Sequence, residues 1–309
     1  MLIDFLTFAV SAALLWFGAS WIVTSAALIA RKFNVSELVI GLTIVAMGTS
    51  APEFLVTVNA AFRGHNDISL SNVVGSNIFN LGFILGLMAM IRPLVTTRTI
   101  VYRDGLLLFL TTAGILAVSF TGEMGRVFGA VLVGLLVCYL VYLGVKRESP
   151  GEAELEEIKG RAASWRDWLM LALGFAAISG GGHLMVTAAT SIATDLGVSS
   201  WVIGVTIVAA GTSLPELVTC LAASVKGKNE MLLGNLIGSD FFNFAGVLGL
   251  TCLLKPLPVS PEAGSGLIVL VVMVGLVLVM LRTGWRITRL EGGLLVGITL
   301  LRWINDFTG

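Results

Sequence analysis

Apolar residues gather in long uninterrupted blocks in this chain, with polar residues confined to short gaps, and such blocks predict helices that cross a bilayer. A crossing takes roughly 20 helical residues. Blocks of that order lie near 5–29, 37–62, 69–91, 101–120 and 125–145, then 166–192, 200–225, 231–254 and 264–281, with a shorter one at 290–305. Ten transmembrane helices are therefore expected. The one extended hydrophilic stretch, 147–165, carries a run of charges and the pair Pro150-Gly151, the marks of a solvent linker. It separates two units, 1–146 and 166–309, of five spans each. The first block contains Asp4 but no Lys or Arg ahead of it, unlike a cleaved signal peptide, and is expected to be a first span.

Composition agrees with a bilayer as solvent: 56% hydrophobic residues, 12% charged and a mean hydropathy of +0.96 are far more apolar than a soluble domain of 309 residues requires. The formal net charge is zero, so no global field points to nucleic acid. Local charge carries more. Assigning alternate loops to one side leaves only Arg63, Arg126, Lys255 and Arg302 on the other, out of 19 Lys and Arg. Short basic loops stay cytoplasmic, so both termini are expected outside. Cys138, Cys220 and Cys252 are widely spaced in apolar stretches, which predicts packing roles rather than a disulfide framework or a thiolate metal site.

The two units are related. Residues 41–53, GLTIVAMGTSAPE, and 204–216, GVTIVAAGTSLPE, agree at 10 of 13 positions with an offset of 163. The same offset carries NVVGSNIFN at 72–80 onto NLIGSDFFN at 235–243, and Val35, Ser36, Val39 and Ile40 onto Val198, Ser199, Val202 and Ile203. A unit with an odd number of spans re-enters the membrane with opposite polarity when duplicated, so two inverted five-helix repeats are expected.

What repeats is polar. In each copy an apolar helix meets Gly-Thr-Ser-X-Pro-Glu, where Pro52 or Pro215 removes a backbone donor and disfavours helical geometry just before it. A break at membrane depth is tolerated where it lines a protein-enclosed or watery cavity. Glu53 and Glu216 would each cost about 2.5 to 3.5 kcal/mol on insertion at the centre of a span, and neither has an obvious basic partner within the membrane. A bound cation is the better explanation. Ser50 and Thr49 lie three and four residues before Glu53, on one face if the turn is regular, and Thr212, Ser213 and Glu216 repeat that arrangement. The following helix adds Asn72, Ser76 and Asn80 at four-residue spacing, matched by Asn235, Ser239 and Asn243. Carboxylate, hydroxyl, amide and freed backbone oxygens suit hard cations such as Ca²⁺ or Na⁺, whereas zinc or copper would call for His or Cys, and Mg²⁺ dehydrates reluctantly. Two carboxylates balance one Ca²⁺ or two Na⁺. At a separation of about 5 Å and an effective dielectric near 20 they repel by on the order of 3 kcal/mol. A cation, or a proton shared by the pair, is expected to offset that repulsion.

These paired motifs resemble the alpha-repeats of the cation/calcium exchanger superfamily, especially its sodium/calcium branch, over nearly the whole chain. The resemblance implies an antiporter exchanging Na⁺ for Ca²⁺ by alternating access. Glu53, Glu216 and the carbonyls of Thr49 and Thr212 would hold Ca²⁺. Ser50, Ser76, Ser213 and Ser239, with the carbonyls of Ala46 and Ala209, would form flanking Na⁺ sites, and Asn80 and Asn243 would complete the centre. Some members carry an acid at one of these last two positions. Asp240, in the slot of Asn77, is a further departure: a third negative charge or a helix cap. The first and sixth spans, with the runs FGAS and ISGGGH, would be the sliding gate, and His183 a structural residue there. A proton/calcium exchanger shares fold and acids, but the repeated serines favour Na⁺. A cation channel is disfavoured by the two halves in one chain. No nucleophile-base pair or nucleotide loop points to an enzyme, and membrane lipid is the expected surrounding, with no resident cofactor and no obligate protein partner.

Overall fold

The computed structural model describes residues 2–146, 163–197 and 209–308. Most of the expected linker, and Val198, Ser199, Val202 and Ile203, fall outside them. In chain order the helices are α1 (Leu2–Lys32), α2 (Glu37–Ile40), α3 (Ala46–Thr49), α4 (Ala51–Phe62), α5 (Asn66–Ile78), α6 (Leu85–Ile91), α7 (Leu106–Ser119) and α8 (Arg126–Lys146). After the linker come α9 (Trp165–Asp195), α10 (Ala209–Gly211), α11 (Leu214–Val225), α12 (Asn229–Phe242), α13 (Gly249–Leu254), α14 (Pro261–Arg282) and α15 (Arg289–Thr308). Among the described residues four segments are π-helical: Gly41–Val45, Phe79–Ile84 and Asn243–Leu248 join helices that would otherwise be continuous, and Ile100–Gly105 leads into α7. Such local widening frees backbone groups and is frequent near functional sites.

Seven helices among the described residues are long and apolar enough to cross a membrane, and Glu37–Thr49 with Ala51–Phe62, bent by 48°, makes an eighth if the pair is one span. The remaining expected blocks fall on α10 with the shorter α11, before which residues 198–208 lie outside the description, and on α15. The sequence dictates these ends. Ser36 opens α2 by accepting from the Val39 amide at 3.3 Å, and Ser164 with Asp167 forms a reciprocal cap on α9. Pro52 and Pro215 sit in the first turns of α4 and α11, where a missing N–H costs nothing.

Burial sorts the helices. The continuous stretches Asn66–Ile91 and Asn229–Leu254 lie mostly inside, while α1, α8 and α9 turn most of their length outward. Their outward residues are large and apolar, among them Phe5, Trp16, Val127, Val141 and Leu173, as a lipid-facing surface requires. At the centre α2 and its π-helical continuation meet α12 backbone to backbone: a methyl on Gly41 would stand 2.7 Å from the Met231 carbonyl, and one on Gly234 2.6 Å from that of Leu38. Only glycine permits that approach. Gly18 and Gly174 bring α1 and α9 together in the same way, each facing the other's carbonyl.

Two short strand pairs lie outside the helices. Leu94–Val95 (β1) runs antiparallel to Arg286–Ile287 (β4), and Glu123–Met124 (β2) to Leu257–Pro258 (β3). The offset of 163 turns β1 into β3 and β2 into β4. The repeat is thus visible in the pairing itself, each strand bonding to the partner that the symmetry supplies.

Candidate cation site

The break in the second block falls at Ser50, between α3 and α4, and the corresponding break at Thr212 and Ser213, between α10 and α11. Each leaves a glutamate in the first turn of the helix that follows. Glu53 and Glu216 are completely buried, as are Thr49, Ser50, Ser213 and Ser239. Charge in such surroundings must be matched locally.

The matching crosses between the halves. Ser50 Oγ donates to Glu216 Oε1 at 3.0 Å, and Ser213 Oγ donates to Glu53 Oε1 at 3.1 Å, one contact being the other shifted by 163 residues. Ser50 caps α4 at φ −80° and ψ 9°, and its hydroxyl bonds across to the opposite half rather than to Glu53 three residues on. The second oxygen of each carboxylate, Oε2, is buried and has no hydrogen-bond partner among the described residues.

Around Glu216 the side chains of α12 close in. Thr49 Oγ1 lies 3.2 Å from Ser239 Oγ, from Asn235 Oδ1 and from the Ala46 carbonyl, and Ser239 Oγ reaches that carbonyl at 3.5 Å. Around Glu53, Asn72 Nδ2 donates to Thr57 Oγ1 at 2.9 Å and to the Glu53 carbonyl at 3.4 Å. Its counterpart Asn235 donates to Cys220 Sγ at 3.4 Å. Cys220 is therefore a polar partner as well as a packing residue; its place is that of Thr57, a relation the shared offset already held.

Asn80 and Asn243 are buried on the continuous stretches Asn66–Ile91 and Asn229–Leu254, within and at the start of their π-helical segments. Asn80 Nδ2 donates to Asp240 Oδ1 at 2.9 Å, and Asn243 Nδ2 donates to Asn77 Oδ1 at 3.0 Å. Asn77 in turn donates to the Asp240 backbone carbonyl at 3.1 Å. The oxygens Oδ1 of Asn80 and Asn243 and Oδ2 of Asp240 are buried without partners among the described residues. Sequence reasoning singled out Asp240 but not Asn77 as its counterpart in a network.

Hydrogen bonds therefore place the expected site residues in four groups: Ser50 with Glu216, Ser213 with Glu53, Thr49 with Ser239 and the Ala46 carbonyl, and Asn80 with Asn243 by way of Asp240 and Asn77. Ser76 is buried on α5 with no side-chain hydrogen bond to the rest among the described residues, and Ala209 opens α10. Thr212 is half-buried with its hydroxyl unpartnered. It lines a cavity of about 350 Å³ with Pro52, Ser179, Gly182, His183 and Pro215, which lies between α4, α9 and the α10–α11 break. His183 is exposed there rather than packed.

Partnerless acceptor oxygens on two carboxylates, two amides and a third carboxyl are what a dehydrated hard cation would satisfy. Comparison with known proteins gives the same direction. The family model described as sodium/calcium exchanger protein matches residues 3–145 and 166–301. The sodium/calcium exchanger MaX1 of Methanosarcina acetivorans is 32% identical over 321 residues, covering 90% of this chain and 91% of the relative. The inner membrane protein YrbG of Escherichia coli K12 is 31% identical over 309 residues, covering 94% of each. A solved structure of the sodium-calcium exchanger NCX_Mj, soaked with Na⁺ and Ca²⁺, superposes with a TM-score of 0.84 at 33% identity over 97% of both chains. The chain belongs to the sodium/calcium exchanger family and is a membrane transporter, not an enzyme.

Proposed function

We propose that this protein is a secondary antiporter that exchanges Na⁺ for Ca²⁺ across the plasma membrane of a prokaryote by alternating access. The observation that carries the proposal is the reciprocal pair Ser50–Glu216 and Ser213–Glu53, which ties one buried carboxylate from each half to the other half and leaves an unpartnered oxygen on each. One Ca²⁺ neutralises the two carboxylates; so do two Na⁺, which makes the ions competitors for one set of charges. Ca²⁺ takes Glu53 and Glu216 with the carbonyls of Thr49 and Thr212, and Asn80 and Asn243 complete the centre. Na⁺ occupies flanking positions formed by Ser50, Ser76, Ser213 and Ser239 with the carbonyls of Ala46 and Ala209. Each serine hydroxyl that donates to a carboxylate keeps its lone pairs for a cation.

Ten spans in two inverted units, 1–146 and 166–309 around a cytoplasmic linker, provide the frame. The strand pairs support it. β1 and β4 lie in loops that the charge partition assigns to the cytoplasm, whereas β2 and β3 lie in loops assigned outside. Other contacts respect the same division: Lys228 pairs with Glu37 at 2.9 Å on the cytoplasmic side, and Lys255 Nζ donates to the Ala61 carbonyl at 2.6 Å on the outer side. The gate is α1 with α9, whose glycine contact allows sliding with little side-chain interlocking. Cargo ions and membrane lipid are the only partners the reading requires.

The test is ⁴⁵Ca²⁺ uptake into Na⁺-loaded proteoliposomes with pH clamped on both faces. Uptake that follows the outward Na⁺ gradient supports the proposal. Uptake that ignores Na⁺ and follows an imposed proton gradient replaces it with proton/calcium exchange, and flux without exchange coupling would indicate a channel.

A further inference from the structure

Resting on that reading, we propose that Asp240 is a positioning residue that decides which end of the Asn80 and Asn243 amides faces the transported cation. An asparagine amide can present oxygen or NH₂ to a site, and only the oxygen serves a metal ion. Something must fix the choice. Both choices trace to residue 240.

The side-chain half is direct. Asp240 Oδ1 accepts from Asn80 Nδ2 at 2.9 Å. A carboxylate has no NH₂ to offer, so Asn80 can pair with it only through its own NH₂ end. Its Oδ1 is thereby turned away and stays buried without a partner among the described residues. The other half runs through the backbone. The Asp240 carbonyl only accepts, so Asn77 must give it NH₂, at 3.1 Å. Asn77 Oδ1 then faces Asn243, which must give NH₂ in turn, at 3.0 Å, and Asn243 Oδ1 is likewise left without a partner. Three bonds orient two amide oxygens, and every member of the set is completely buried. Asp240 and Asn77 are the same position in the two repeats. They do one task by different chemistry: the aspartate needs no orienting because both its side-chain oxygens accept, whereas the asparagine is itself oriented by the main chain of its counterpart.

The experiment measures Ca²⁺ KM and maximal rate of Na⁺-driven ⁴⁵Ca²⁺ uptake for the parent, Asp240→Leu, Asp240→Asn, Asn80→Ala and the corresponding doubles, with Glu53→Gln alongside. Loss of an outer-shell partner costs roughly 10- to 100-fold in metal affinity, so Asp240→Leu is expected to raise the Ca²⁺ KM about tenfold or more while the maximal rate stays near the parent's. An asparagine at 240 can meet Asn80 with either end, which divides the amide between two orientations and raises KM by about twofold. In the Asn80→Ala background both effects should vanish. A parent-like KM in Asp240→Leu, or effects that multiply with that of Asn80→Ala, would overturn the inference. Should the leucine variant fail to insert, Asp240→Asn decides alone: a KM rise that disappears in Asn80→Ala supports the inference, and a parent KM or a rise that persists refutes it. Parent-like exchange by Glu53→Gln would instead overturn the underlying transport reading.

Discussion

Ser50 and Ser213 are small side chains with a large share in the proposed mechanism, because each reports the charge of the other half of the molecule. Their bonds to Glu216 and Glu53, at 3.0 and 3.1 Å, are interchangeable under the repeat. Replacing either by alanine removes a hydrogen bond to a carboxylate, an interaction worth about 1.5–3 kcal/mol. Ser50→Ala and Ser213→Ala should therefore weaken apparent Na⁺ affinity by similar factors, on the order of tenfold, as read from Na⁺ competition with ⁴⁵Ca²⁺ uptake. A large effect from one and none from the other would break the proposed equivalence. The residue types at these positions, and their duplication, could be read directly from GTSAPE and GTSLPE. Their partners could not. Spacing within a helix predicts neighbours three and four residues away, whereas the Ser50 hydroxyl bonds to a residue 166 positions further on. Sequence marks Asn77 only as the position that Asp240 matches: no residue near it in sequence gives an asparagine there a role, and its bonds to Asp240 and Asn243 supply one.

Elements succeed here by interruption as much as by length. The second block is apolar enough for one span, yet it is divided into α2, a π-helical turn, α3 and α4, with a 48° change of direction. The Pro52 break was foreseeable from composition, but the π-helical turns were not, since they depend on how neighbouring helices hold the freed carbonyls. Close packing against α12 is one such constraint. Gly41→Val would drive a branched side chain into the Met231 carbonyl, which stands 2.7 Å from even a methyl. Overpacking of this kind costs about 1–3 kcal/mol, so the variant should melt at a lower temperature in detergent and lose exchange, while Gly114→Ala, which faces open space, should leave both unchanged. Equal melting temperatures would show that the α2–α12 approach is looser than described. Block lengths predicted most of the long helices well, because a hydrophobic run either fills the bilayer or does not. α15 marks the limit: it is helical over Arg289–Thr308 but less apolar than the seven clear candidates.

At the scale of the whole molecule, strands of two residues say more about architecture than their size implies. β1 and β3 are equivalent by sequence yet belong to different pairs, each closed by an element from the other repeat. Duplicated halves of opposite polarity account for that exchange, since equivalent loops would then emerge on opposite faces. The sequence offset revealed the duplication, and charge bias predicted the sidedness, but which loops touch is a property of the assembled halves. With an even number of spans both termini share one side. Alkaline phosphatase fused at either end should be active and a cytoplasm-dependent fluorescent reporter dark; opposite behaviour at the two ends would require an odd number of spans. The central claim is that one Glu from each half converges on one calcium ion. Calorimetric titration of Ca²⁺ into purified, Na⁺-free protein measures it most directly. The account predicts one high-affinity site per chain, lost in both Glu53→Gln and Glu216→Gln; two independent sites, or parent affinity in either variant, would contradict it.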